Sequence, residues 1–160
     1  MDWHVLYVKP RCEKKVAAHC GRNGVEQYLP LRRETKIYQR RRVTVDKPVF
    51  QGYVFARFGP VERPDVLRSH AVVTVIDVED QARFERELDQ VRQALEIDPT
   101  LEVERVLKPG RRVRISTGPF MGLEGVVQTA RGPGRVLLAV EMIGQAVVVN
   151  AETALLEPLD

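Results

Sequence analysis

Lys108-Pro-Gly-Arg-Arg-Val-Arg-Ile-Ser-Thr-Gly-Pro-Phe-Met-Gly-Leu-Glu-Gly-Val-Val127 is the stretch on which the reading of the fold turns. It runs as a basic strand, a Gly-Pro-Phe turn, a second turn glycine at Gly125 and the start of another strand. Gly118 and Gly122 permit positive φ or close backbone approach, and Pro119 presets the turn. Phe120, Met121 and Leu123 are then displayed at the rim of a small barrel. The texture continues to the end of the sequence, with glycines at 110, 118, 122, 125, 132, 134 and 144 between short Val/Ile/Leu runs. Residues 111–117, 125–130, 135–141 and 146–150 read as four strands, with 154–157 a candidate fifth. Short, evenly spaced strands with glycine turns indicate a barrel.

Upstream the pattern is mixed. Residues 3–8 (Trp-His-Val-Leu-Tyr-Val) are strand formers, ended by Lys9-Pro10. A helix is expected over 13–22, where Cys12, Val16 and Cys20 form an apolar stripe and Glu13, Lys14 and Lys15 turn outward. Residues 25–30 read as a short strand. Residues 31–45 read as two strands joined by a basic turn near 39–42, a projecting hairpin. Pro48-Val-Phe-Gln-Gly-Tyr-Val-Phe-Ala-Arg-Phe58 contains the most hydrophobic strand of the first half, read over 49–58. A short helix near 65–69 and a β-branched strand at 71–78 follow. Phe84, Leu88, Val91 and Leu95 line one face of a helix over 80–96, which Asp80 can cap. Residues 97–107 read as a linker. The first half is therefore an α+β sandwich and the second a β-barrel.

Composition sets the limits. With 44% hydrophobic and 29% charged residues, the 160-residue chain is expected to be globular rather than disordered. No apolar run approaches the roughly 20 residues that span a bilayer, and the N-terminus has no signal-peptide pattern, so a cytoplasmic protein is expected. Residues 1–76 hold 15 Lys/Arg against 7 Asp/Glu, and residues 77–107 hold 4 against 10. A basic block of this kind suggests a polyanionic partner. Cys12 and Cys20, separated by about 12 Å of helical rise, are too far apart for a disulfide or one shared metal. The three histidines His4, His19 and His70 give no metal-ligand spacing, and Cys12 has no histidine at nucleophile–base spacing. No metal site, cofactor or catalytic centre is expected.

The 108–127 stretch resembles the KOW segment that ends NusG-type transcription factors. The first half resembles the NusG N-terminal (NGN) domain in Trp3, Leu6-Tyr7, Glu13-Lys-Lys-Val, Pro30 and Pro48-Val-Phe-Gln-Gly-Tyr-Val-Phe. The chain is thus similar to the NusG/Spt5 family in domain order. This implies an NGN-type α/β sandwich with an antiparallel sheet at 1–96, a linker at 97–107 and an SH3-like KOW β-barrel at 108–160. The Trp-x-x-Leu-Tyr opening and the basic hairpin resemble the specialised RfaH-like paralogues. Those can refold their ending as a helical hairpin, whereas this ending is rich in Gly and Val, poor helix formers, and a barrel is expected.

The resemblance implies roles for particular residues. Tyr7, Phe50, Tyr53 and Phe55 match the patch that grips the clamp helices of the RNA polymerase largest subunit. Alternation puts Tyr53 and Phe55 on one strand face, with Val54 and Phe58 on the other. Lys9, Arg11, Lys14 and Lys15, with Arg68 and His70, match stretches that approach the non-template DNA strand. Arg40, Arg41 and Arg42 at the hairpin tip face DNA or polymerase. The specialised paralogues read DNA with a histidine-threonine-threonine group that is absent here, so no sequence preference is assigned. Phe120, Met121, Leu123 and Ile143 match a barrel rim that binds a small-subunit ribosomal protein or termination factor Rho. The implied function is bacterial transcription elongation and antitermination in selected operons, with a nucleoid location through polymerase. The alternatives are a general elongation and termination factor, and a KOW-bearing RNA-binding or ribosome-associated protein that has no need of the 48–58 strand.

Overall fold

The computed structural model describes residues 1–106, 110–128, 134–152 and 155–159. Its contacts divide the chain into two compact units, 1–31 with 48–85, and 32–47 with 86–160. Among the described residues no helix is long and apolar enough to cross a membrane.

In the first unit, β1 (Asp2–Val8), β2 (Glu26–Tyr28), β5 (Tyr53–Phe58) and β6 (Val72–Asp77) form a four-stranded sheet in the order β2-β5-β1-β6. Every pairing is antiparallel. Alternation gives the sheet two buried faces. Leu6, Val8, Val54, Ala56 and Phe58 pack with Val16, Ala17 and Cys20 of α1 (Glu13–Arg22) and with Val66 of α2 (Arg63–Leu67). On the other face Trp3 and Phe55 meet Phe84, in the first turn of α3 (Gln81–Ile97). The Gln81 side-chain amide both accepts from Trp3 N–H (2.7 Å) and donates to Trp3 C=O (2.9 Å), satisfying a strand residue as another strand would. Asp80 caps α3 through Arg83 N–H, as its position in the sequence suggests.

Three expectations shift here. The 49–58 run is a strand only from Tyr53, because Gly52 takes φ +89° and Tyr53 N–H closes a turn onto Phe50 C=O. The short helix begins at Arg63 rather than 65, with Pro64 in its first turn, where the missing N–H is harmless. Glu13 does not turn outward: it is buried with Val16 and Cys20.

The second unit contains the hairpin β3 (Leu31–Tyr38) and β4 (Arg41–Pro48). Its turn residues Gln39 and Arg40 both have positive φ, the geometry that matches strand twist in two-residue loops. Arg33 N–H to Pro99 C=O (2.6 Å) and Arg32 Nε to Leu101 C=O (3.0 Å) anchor its base.

The same unit holds β7 (Val103–Arg105), β8 (Arg111–Ile115), β9 (Glu124–Val127), β10 (Arg135–Val140), β11 (Gln145–Asn150) and β12 (Leu156–Pro158). They form one antiparallel sheet in the order β12-β8-β9-β10-β11-β7. Four strands and the candidate fifth occur where the glycine spacing indicates. Residues 129, 130 and 154 of those stretches, 107 of the linker and 108 at the head of the barrel stretch lie outside the described residues. A sixth strand, β7, comes from the stretch read as linker, and Glu104 pairs with Arg135 across 2.9 Å. Gly125 is not a turn glycine: it lies within β9, where a Cβ would stand 2.6 Å from Leu137 O. Its lack of a side chain lets β10 approach.

Candidate functional site

The register of β1 against β5 sets Tyr7 opposite Tyr53 and Val5 opposite Phe55. The Tyr7 and Tyr53 rings lie 5.6 Å apart, tilted by 48°. Tyr7 is 45% exposed and Tyr53 half-buried. Tyr53 and Phe55 do share a strand face, but the structure sends them to different depths. Phe50 and Phe55 are 1% and 0% exposed and pack against each other at 6.2 Å. Phe55 also meets Phe84 edge-on at 5.4 Å. The four matched aromatics therefore divide into a more accessible pair, Tyr7 and Tyr53, and a buried pair, Phe50 and Phe55. A residue at zero exposure cannot itself touch a partner; it holds the strand that does.

Gly52 completes the local geometry. Its N–H donates to Glu13 Oε2 (3.1 Å) and its C=O accepts from Val8 N–H (2.8 Å). A Cβ there would lie 3.2 Å from Tyr7 Cε1, so the ring approaches this left-handed residue more closely than a side chain would comfortably allow.

The two cationic stretches of this unit meet. Lys9 N–H donates to Ala71 C=O (2.9 Å), joining the loop after β1 to the loop before β6. A His19 ring nitrogen lies 2.6 Å from Asp65 C=O, joining α1 to α2. Arg11 (φ 63°) and His70 (φ 59°) both adopt left-handed backbone, which is uncommon outside glycine. Lys9, Arg11, Lys14, Lys15, Arg68 and His70 are all exposed. Arg68 is ion-paired with Asp65, which offsets part of its charge. Arg40, Arg41 and Arg42 are exposed at the tip of the other unit's hairpin. At the base of that hairpin, Lys47 donates to Glu34 (2.8 Å) and holds its carboxyl below the ordinary range.

In the barrel unit the 118–122 turn is closed by Gly122 N–H to Ile115 C=O, with Gly118 at φ +93° and Gly122 at φ +91°. Met121 is 65% exposed, and Phe120 and Ile143 are half-buried. Leu123 is 4% exposed, so the rim placement expected for it is not found; it belongs to the core because the turn ends before it and β9 begins. Met142, beside Ile143 in the 3₁₀ turn, is exposed. Among the described residues, no group of three or more His, Cys, Asp or Glu side chains is placed to hold a metal ion. Cys12 and Cys20 are free thiols, and burial pushes the Cys20 thiol up.

The first unit thus carries an aromatic pair and an exposed cationic loop cluster, and the second unit is strand-rich. The family model described as "Transcription termination factor nusG" matches residues 1–93, and the chain belongs to the NusG family. Members of this family are non-enzymatic transcription factors that bind RNA polymerase. Among solved structures, the chain is similar to one in an archaeal complex, the crystal structure of MjSpt4:Spt5 in conformation B. The identity is 12%, the match covers 99% of this chain and 97% of that chain, and the TM-score is 0.31.

Proposed function

We propose that this NusG-family chain grips the clamp helices of the RNA polymerase largest subunit through Tyr7 and Tyr53, with Phe50 and Phe55 as buried supports of the same sheet. Binding energy alone then holds the clamp closed over the transcription bubble, which shifts a conformational population and suppresses pausing and termination. In this reading residues 1–96 are the polymerase-binding domain, 97–107 the linker and 108–160 the KOW domain. Lys9, Arg11, Lys14, Lys15, Arg68 and His70 attract the non-template strand, the cations by salt-dependent phosphate contacts and His70 by stacking on an unpaired base. Arg40, Arg41 and Arg42 offer a cationic hairpin tip of their own to DNA or polymerase. Phe120, Met121 and Ile143 offer the KOW rim to a small-subunit ribosomal protein or to Rho.

The observation that carries the reading is the Tyr7–Tyr53 pair, Tyr7 exposed and Tyr53 half-buried, on the sheet face that also carries buried Phe55. An aromatic anchor on a packed support is the pattern of a binding hot spot. Action in selected operons rests on the RfaH-like opening and hairpin sequence. Mapping the factor and polymerase across a bacterial genome tests it. Occupancy confined to a few long operons is expected; occupancy on nearly all transcribed genes would establish a general elongation and termination factor instead. Failure to co-purify with polymerase would remove the clamp reading.

A further inference from the structure

Glu13 is the anomaly of the first unit. It is the first residue of α1, where a carboxylate is favoured by the helix dipole and would ordinarily stay in water. Its neighbours Lys14 and Lys15 are exposed, yet Glu13 is only 6% exposed. A buried carboxylate is costly unless it accepts a hydrogen bond, and this one accepts from Gly52 N–H at 3.1 Å. No side chain caps the N-terminus of α1, so the acid serves the turn rather than its own helix.

The turn matters because of what stands on it. Gly52 is gripped from both sides, by Glu13 at its N–H and by Val8 N–H at its C=O. Those bonds tie the start of α1 and the end of β1 to one left-handed residue. The Tyr7 ring packs closely against Gly52, 3.2 Å from where a Cβ would stand, and Tyr53 is the next residue along the chain. Release of Gly52 N–H frees the peptide that sets both the support under Tyr7 and the entry of Tyr53 into β5.

We infer that Glu13 is a positioning residue for the presented tyrosine pair: its carboxylate locks Gly52 and thereby pre-organises the surface offered to polymerase. The inference rests on the proposed polymerase-binding role of Tyr7 and Tyr53, and adds a residue that touches no partner. Pre-organisation raises affinity by removing the ordering cost at the moment of binding. The acceptor oxygen, not the negative charge, does this, so a neutral acceptor of the same shape serves equally.

The test uses the full chain titrated against purified RNA polymerase, with Glu13→Met, Glu13→Gln and Tyr7→Ala compared in parallel. Methionine keeps the volume and helix preference and is readily buried, but offers only a weak thioether acceptor. Glu13→Met is expected to weaken polymerase binding about tenfold while the Trp3 fluorescence melt holds or improves, and Glu13→Gln to stay within about twofold of the parent. Amide exchange at Gly52 is expected to be slow in the parent and the Gln variant and fast in the Met variant. Parent-like binding by Glu13→Met, or an equal loss in Glu13→Gln, overturns the inference. If Tyr7→Ala also binds like the parent, the polymerase surface itself is misassigned and the inference falls with it. If Tyr7→Ala is weak and Glu13→Met is not, only the role of Glu13 is lost. Should Glu13→Met fail to fold, the parent decides: fast exchange at Gly52 removes the bond on which the inference stands, and slow exchange there upholds it.

Discussion

Tyr7→Ala and Phe55→Ala both remove an aromatic from the same sheet face, yet they should fail by different physics. Tyr7 is nearly half exposed, and among the described residues its aromatic ring partner is Tyr53. Truncating it leaves no closed cavity and forfeits one tilted ring pair, about 0.5–1.5 kcal/mol of stability. If the pair anchors polymerase, the same truncation costs about 2 kcal/mol or more of binding, roughly a thirtyfold rise in Kd. Phe55 is fully buried between Phe50 and Phe84, so its truncation opens a core cavity worth about 3–5 kcal/mol. That is a large part of the roughly 5–15 kcal/mol by which a domain is stable. Trp3, the single tryptophan, lies buried against Phe84 and reports the unfolding of this unit. Urea titration of Trp3 fluorescence, paired with a binding titration against polymerase, separates the two effects. Tyr7→Ala should lower its urea midpoint modestly and lose affinity; Phe55→Ala should lose midpoint far more, with binding falling as the fold is lost. A Tyr7→Ala chain that binds normally, beside a stable Phe55→Ala chain that does not bind, would refute the division into accessible pair and buried pair.

Three further outcomes are expected. Gly125→Ala puts a Cβ about 2.6 Å from backbone oxygen Leu137 O, which cannot swing aside, so β9–β10 amide protection should drop by about 1–3 kcal/mol in exchange experiments. A thiol reagent at neutral pH should label Cys12 in the folded chain and reach Cys20, fully buried with its thiol pushed up, only after denaturant is added; mass spectrometry of digests reads the site. Lys47 depresses the Glu34 carboxyl below its ordinary 4.5, so this pair supports the β3–β4 hairpin above that value and loses its contribution as acid takes the pH down through the depressed folded-state value. Hairpin amide protection in the parent should weaken across that acid window, and in Glu34→Gln it should not.

The order of elements could be read directly from the chain, because local rules write it. Period-2 runs of β-branched and aromatic residues mark β1, β5 and β6; the Phe84, Leu88, Val91, Leu95 stripe marks α3; and glycines between Val/Leu runs mark the second unit's strands. The hairpin read at 31–45 and the Asp80 cap are equally local. Where the reading slipped, a non-local contact decided. Alternation places Tyr53 and Phe55 on one face, but only the approach of Phe84 and Phe50 buries one of them and leaves the other half-buried. Gly125 resembles a turn glycine until β10 is laid beside it. Val103, Glu104 and Arg105 read as linker because three residues carry too little pattern; they become a strand because β11 has an edge to fill and Arg135 lies ready for Glu104. Glu13 is the sharpest case. Its helix position calls for a solvated acid, and only the folding of residues 50–53 back onto α1 supplies the amide that buries it. Sequence determined most of the strands and helices, since propensity and periodicity act within a few residues. Tertiary structure alone decided which aromatics face out and which acid is held in, since burial is set by neighbours distant in the chain.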